Sequence, residues 1–208
     1  MFDEHYGLQT AVVNRKKVMT RRFVNLKIQA EPGIYLEVEP DDMFIMYGKV
    51  YYTINGETQE VPKRYQPKYK PGEVVAIARS YDEIKEMYPD RMIPHEIGNP
   101  GKENKMYVKA MYMVDGIKII DVFPHRINDI TYDDCLDEGV FFCVFFYNSG
   151  IDYGYKVHGL KGTFGNPKDA FSALIDKIGG KGTWDKNPWC YAYRFEYINP
   201  EDLWKYQK

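Results

Sequence analysis

Cysteine, histidine and long apolar runs are all scarce in this sequence, and each shortage excludes something. The three cysteines, Cys135, Cys143 and Cys190, are odd in number and never fall in a CxxC spacing. That excludes a disulfide framework and a thiolate zinc site, and a reducing cytoplasm is the setting expected. Of the four histidines, His5, His125 and His158 make no ligand spacing, and His95-Glu96 lacks the second histidine that a zinc helix needs. No metal is expected. No apolar stretch reaches membrane-spanning length, and MFDEHYGLQT carries acids in place of a signal-peptide core, so neither a membrane span nor a leader is expected. Charge of one sign is lacking too. With 28 Lys+Arg against 30 Asp+Glu there is no global basic field, and any anion-binding surface must be local. GGKGT from Gly179 imitates the end of a phosphate loop, but glycine follows the lysine and no strand-loop pattern precedes it. It reads as a helix cap and turn, and no cofactor is expected.

What is present fits one ordered domain. The 208 residues are 44% hydrophobic and 16% aromatic, with 19 Tyr against 11 Phe, a bias toward strands that keep one wet edge. Leu8, Ala11 and Val12 are spaced for a short helix, and FVNLKI (23–28) alternates like a strand. KVYYTI and ETQEV flank Asn55-Gly56, the signature of a two-residue type I′ hairpin turn, and Asp115-Gly116 between MYVKAMYMV and IKIIDVF predicts a second hairpin. Val74 to Ala78, after Pro71-Gly72, reads as a strand buried on both sides, and Ile84 and Met87 are spaced for a helix. ITYDDCLDEGV predicts a helix with Thr131 as N-cap, Asp134 as capping-box acid and Gly139 as its stop. PKDAFSALIDKIGG predicts a helix with one apolar face. In NPWCYAYRFEYI, Trp189, Tyr191, Tyr193, Phe195 and Tyr197 fall on one side of a strand and Cys190, Ala192, Arg194 and Glu196 on the other. The sum is an α+β domain or small barrel.

Against this background NRKKVMTRR (14–22) concentrates five cations in nine residues around Thr20. The plain reading of such a cluster is a solvated helix C-terminus.

Four blocks in order resemble the ASCH (activating signal cointegrator homology) family of the PUA-like superfamily, in its longer bacterial and phage form. They are RKKVMTRR (15–22), PGEVVAIARS from Pro71, INDITYDDCLDEG (127–139) and FSALIDKIGGKGTWDKNPWCYAYRFE from Phe171. Arg15 stands where the family usually has Gly, Val18 where it often has Thr, and Cys190-Tyr191-Ala192 replaces a more aliphatic strand. The resemblance implies a PUA-like mixed β-barrel with short helices at its margins, formed by residues 1–208 as a single domain. The β-rich stretch at about 35–62 is less family-like and reads as an inserted hairpin. The superfamily is associated with RNA binding. Some small ASCH proteins are amidohydrolases of acetylated cytidine nucleosides, and their Lys-x-x-Thr motif and helix-terminal glutamate match Lys17, Thr20 and Glu138 here.

Lys17 and Thr20 are three residues apart, so they meet only if the chain turns there. Crowding by Arg15, Lys16 and Arg21 would favour a neutral Lys17 amine as the base for Thr20, and the end of its helix would favour a protonated Glu138 as acid. Arg21 or Arg22 would hold a phosphate or oxyanion. Trp184 and Asn187 are candidates for the lip of the cleft, whereas Thr131 and Asp134 are expected only to cap. Three functions follow: binding of RNA or a nucleoside or nucleotide through a basic cleft, deacylation of N4-acylated cytidine nucleosides, or a phage-related accessory role with a vestigial site and a Tyr-rich partner surface.

Overall fold

The computed structural model describes residues 8–147 and 150–206. His5 lies outside them. Helix α1 (Leu8–Val13) leads into β1 (Met19–Phe23), then β2 (Lys27–Glu31), β3 (Ile34–Glu37), β4 (Asp42–Met46), β5 (Lys49–Ile54), β6 (Glu57–Glu60) and β7 (Val74–Ala76). Helix α2 (Tyr81–Met87), β8 (Gly116–Arg126), α3 (Tyr132–Asp137), β9 (Val140–Tyr147), β10 (Gly150–Val157), α4 (Pro167–Gly179), β11 (Trp189–Ile198) and α5 (Pro200–Leu203) follow. The fold is α+β. A curled antiparallel half-barrel sheet in the order β1-β11-β8-β7 forms its centre. Among the described residues no helix is long and apolar enough to cross a membrane, and no group of His, Cys, Asp or Glu could hold a metal ion.

The first half of strand β11 is buried on both faces. Trp189, Tyr191, Tyr193 and Phe195 enter one core with Ile117, Ile119 and Val122 of β8. The other side is buried only in its first half, where Cys190 and Ala192 are fully buried, whereas Arg194 and Glu196 are exposed. Cys190 packs with Val140, Val157 and the α4 residues Ala170, Phe171 and Leu174 in a second core. Each buried Val, Leu or Phe among them contributes about 1.5–3 kcal/mol.

The Asn55-Gly56 turn forms as its residues predict, with φ of 50° and 79° and Ile54 paired to Glu57. Met43, Val50, Tyr52 and Val61 from this meander belong to the same core as Phe195. The Asp115-Gly116 hairpin does not form. Residues 105–112 make two 3-10 turns in place of a strand, and Asp115 is buried against Arg79 at 2.7 Å. Gly116 is needed for space rather than for a turn, since a Cβ there would meet Leu203 at 2.9 Å and the Val75 carbonyl at 3.0 Å. Two other expectations change. Val74–Ala76 is a half-buried edge strand, and FVNLKI is split between the ends of β1 and β2.

Candidate functional site

Strand β1 divides the basic segment. Consecutive strand residues point to opposite faces, and the register pairs Arg21 with Ala192 but Thr20 with Tyr193 and Arg22 with Tyr191. Met19 and Arg21 therefore face the helices, whereas Thr20 and Arg22 face the side of the aromatic core. The chain reaches this strand through a Schellman turn. Lys16 N donates to the Ala11 carbonyl at 2.8 Å and Arg15 N to that of Val12 at 2.9 Å, with Arg15 left-handed at φ 55°.

On the helix side four charges meet. Lys17 Nζ donates to Glu138 Oε2 at 2.5 Å and to the Glu138 carbonyl at 2.8 Å. Arg21 Nη1 donates to Glu138 Oε1 at 2.9 Å, and Nη2 to Asp134 Oδ2 at 2.9 Å. Lys17, Arg21 and Glu138 are buried, with side chains only 2%, 2% and 4% exposed. Two cations thus neutralise two carboxylates. The helix is docked by Val18 N donating to the Asp137 carbonyl at 2.8 Å and is capped by Thr131, whose hydroxyl accepts from Asp134 N. Asp134 does not act as the expected capping-box acid, because its carboxylate engages Arg21 and not the Thr131 N–H. Gly139, at φ 99°, stops the helix as expected and lets the Lys17 stem pass at 3.6 Å from where its Cβ would stand.

This geometry brings Lys17 and Glu138 together and leaves Thr20 apart. The turn that Lys17 and Thr20 require is absent, because Met19 and Thr20 are already in the strand. Among the described residues no hydrogen bond joins Thr20 to Lys17 or Glu138. Burial, more than the neighbouring cations, pushes the Lys17 ammonium down from the ordinary lysine range, while Glu138 holds it up. Arg21 is committed to two carboxylates, so of the two arginines only Arg22 faces the open side. Trp184 packs edge-on against Phe171 in the second core, and its backbone N–H donates to Asp176 Oδ1 at 2.8 Å. Asn187, at φ 47°, accepts from Asn128 N through Oδ1 and from Arg126 through its carbonyl. Both build a turn on the α4 side.

The opposite face of the sheet opens into a cavity of about 950 Å³. Arg22, Arg64, Lys68 and Lys105 line it together with Tyr65, Tyr69, Tyr191 and Tyr193, and no Asp or Glu is among the described lining residues. Its walls are fixed. Tyr191 Oη donates to the Tyr65 carbonyl at 2.9 Å, and Tyr193 Oη accepts from Lys68 N at 3.1 Å. Burial pushes both phenols up, so they remain neutral donors or acceptors through the physiological range. Arg64 stacks 4.9 Å from the rings of both Tyr35 and Tyr65, and Lys68 lies 5.3 Å from that of Tyr69. Lys105 is paired with Glu83 at 2.9 Å. Sequence reasoning named Arg22 but missed Arg64, Lys68, Tyr65 and Tyr69, although KRYQPKYK (63–70) interleaves cations with tyrosines in plain view.

Comparison of the chain with protein-family models, with curated proteins and with solved structures finds no match.

Proposed function

We propose that the protein binds a nucleotide or a short single-stranded stretch of RNA in the cavity beside β1. The observation that carries this reading is the lining itself: four cations, four tyrosines and no carboxylate, in a chain whose net charge is −2. Aromatic faces stack on bases at about 1–3 kcal/mol each, and cations follow the phosphates. A cavity of 950 Å³ accommodates one or two nucleotides rather than a long footprint, which agrees with the balanced overall charge. The resemblance of RKKVMTRR and INDITYDDCLDEG to the ASCH family points the same way, since a PUA-like domain is associated with RNA. On this reading Arg22 and Lys68 hold phosphate, while Tyr65 and Tyr69 offer rings to a base.

The test is equilibrium binding of a labelled six-nucleotide single-stranded RNA, with Arg22→Glu and Lys68→Glu as variants. Each reversal should weaken binding at least about tenfold, as loss of a charge-assisted contact requires. Equal affinity in wild type and both variants would remove the cavity from the account.

A second reading rests on the Lys17–Glu138 contact. A buried lysine with lowered proton affinity beside a carboxylate is the kind of pair that performs acid-base chemistry, and the ASCH resemblance would make it an amidohydrolase of N4-acylated cytidines. Geometry supports this less, because Arg21 and Lys17 occupy both Glu138 oxygens and Thr20 lies on the other face. Release of cytidine from acylated cytidines by wild type, abolished in Lys17→Ala and Glu138→Gln, would favour it. No release above those variants would dismiss it for these substrates.

A further inference from the structure

The β9–β10 ribbon is a two-stranded sheet of its own, outside the half-barrel. Its antiparallel register places Phe142 opposite Tyr155, Val144 opposite Tyr153 and Phe146 opposite Ile151, so these six side chains share one face. Such a face normally packs on a core. Here Phe146 is 78% exposed, Tyr153 70% and Ile151 68%, with Phe142 and Val144 near half. The rings are already ordered against each other: Phe142 lies 6.1 Å from Tyr153 and 5.5 Å from Tyr155, and Tyr155 meets Tyr132 edge-on at 5.8 Å. An ordered patch loses little side-chain entropy when it is covered.

We infer that this face is a homodimer interface, in which the ribbon of one copy packs face to face on the same ribbon of a second copy. Two observations select a second copy as the occupant. The first is area. At about 200 Å² per aromatic side chain, the exposed fractions of this face and Tyr132 amount to roughly 600–700 Å² of surface, most of a standard interface of about 800 Å² per partner and more than a monomer usually leaves uncovered. The second is charge. None of the six residues is charged, and the ribbon's Asp152 and Lys156 fall at register positions on the opposite face. A like copy therefore meets no repulsion, and nothing on the face would recruit a partner by its charge. Two-fold packing of identical patches also closes at two copies, consistent with a bounded patch rather than a filament.

Sedimentation velocity of the full chain under reducing conditions, from about 1 to about 100 µM, decides the matter, because a standard interface associates within that range. Phe146→Glu and Tyr153→Glu are the variants. Both side chains are mostly exposed in the single copy, so their replacement leaves the fold intact, which circular dichroism checks. Met92→Glu, at a 93% exposed residue away from the ribbon, is the control. The wild type and the control should be dimers, and each ribbon variant should dissociate at least about tenfold more readily. A wild type monomeric throughout the range overturns the proposal and leaves the face to a different partner. A dimer that survives both ribbon variants, or that the control also disrupts, overturns it as well.

Discussion

Arg21 and Arg22 are neighbours in the chain and belong to different parts of the molecule. Arg21 donates to Glu138 at 2.9 Å in the buried cluster, whereas Arg22 lies along the cavity on the other side of β1. Substituting each should separate stability from binding. Arg21→Ala leaves Glu138 and Asp134 short of a cation and should cost about 3–5 kcal/mol in urea denaturation. Arg22→Ala should cost less than about 1 kcal/mol while weakening RNA binding.

Lys17 and Glu138 should behave as one unit. Lys17→Met or Glu138→Gln alone should each destabilise by about 3 kcal/mol, since each strands a buried charge. The double variant should lose clearly less than their sum, with a coupling of at least about 1 kcal/mol. Additive losses in a double-mutant cycle would mean that the two do not share their interaction.

Arg15 occupies the left-handed position of a Schellman turn, where a Cβ is crowded and glycine is usual. The ASCH resemblance expects glycine there as well. Arg15→Gly should stabilise the protein by about 0.5–1 kcal/mol, net of the greater freedom that glycine gains in the unfolded chain. A fall in the denaturation midpoint would contradict the strain assigned to this residue.

Stability should decline in alkali. Burial pushes the thiols of Cys135 and Cys190 up to about 12, and the phenols of Tyr191, Tyr193 and Tyr197 also rise, Tyr197 to about 12. Groups raised in the folded state bind more protons folded than unfolded, so their contribution is complete below the unfolded values, near 9 for thiol and 10 for phenol, and is lost above them. Lys17, lowered by burial, works in the opposite sense up to about 10.5, but it is one group against five. The urea midpoint under reducing conditions should therefore fall steadily from pH 9 to pH 11. A flat profile would contradict the burial of these side chains.

The elements with strong local signals could be read directly. Alternating aromatics marked β11, Asn55-Gly56 marked its turn, and Thr131 and Gly139 marked the ends of α3. Other features depended on tertiary context. Asp115-Gly116 has the chemistry of a turn, yet the Arg79 partner that buries Asp115 and the approach of Leu203 to Gly116 come from distant segments. The same limit applied to the basic segment. Its pairing with Glu138 was visible only through the resemblance of the two blocks, and the face of each arginine depended on where β1 begins. A helical turn at Thr20 would have reversed the assignment. KRYQPKYK was legible as cations interleaved with tyrosines, but nothing local showed that it folds over Tyr191 and Tyr193.

A phosphate grip in the cavity makes binding depend on salt. If Arg22 and Lys68 neutralise phosphates of a single-stranded RNA, log K should fall with log salt at a slope of about −1.4, which is roughly sevenfold between 50 and 200 mM. Arg22→Glu should flatten that slope, and Arg21→Lys should not. A slope near zero, or one unchanged by Arg22→Glu, would contradict a phosphate grip in this cavity.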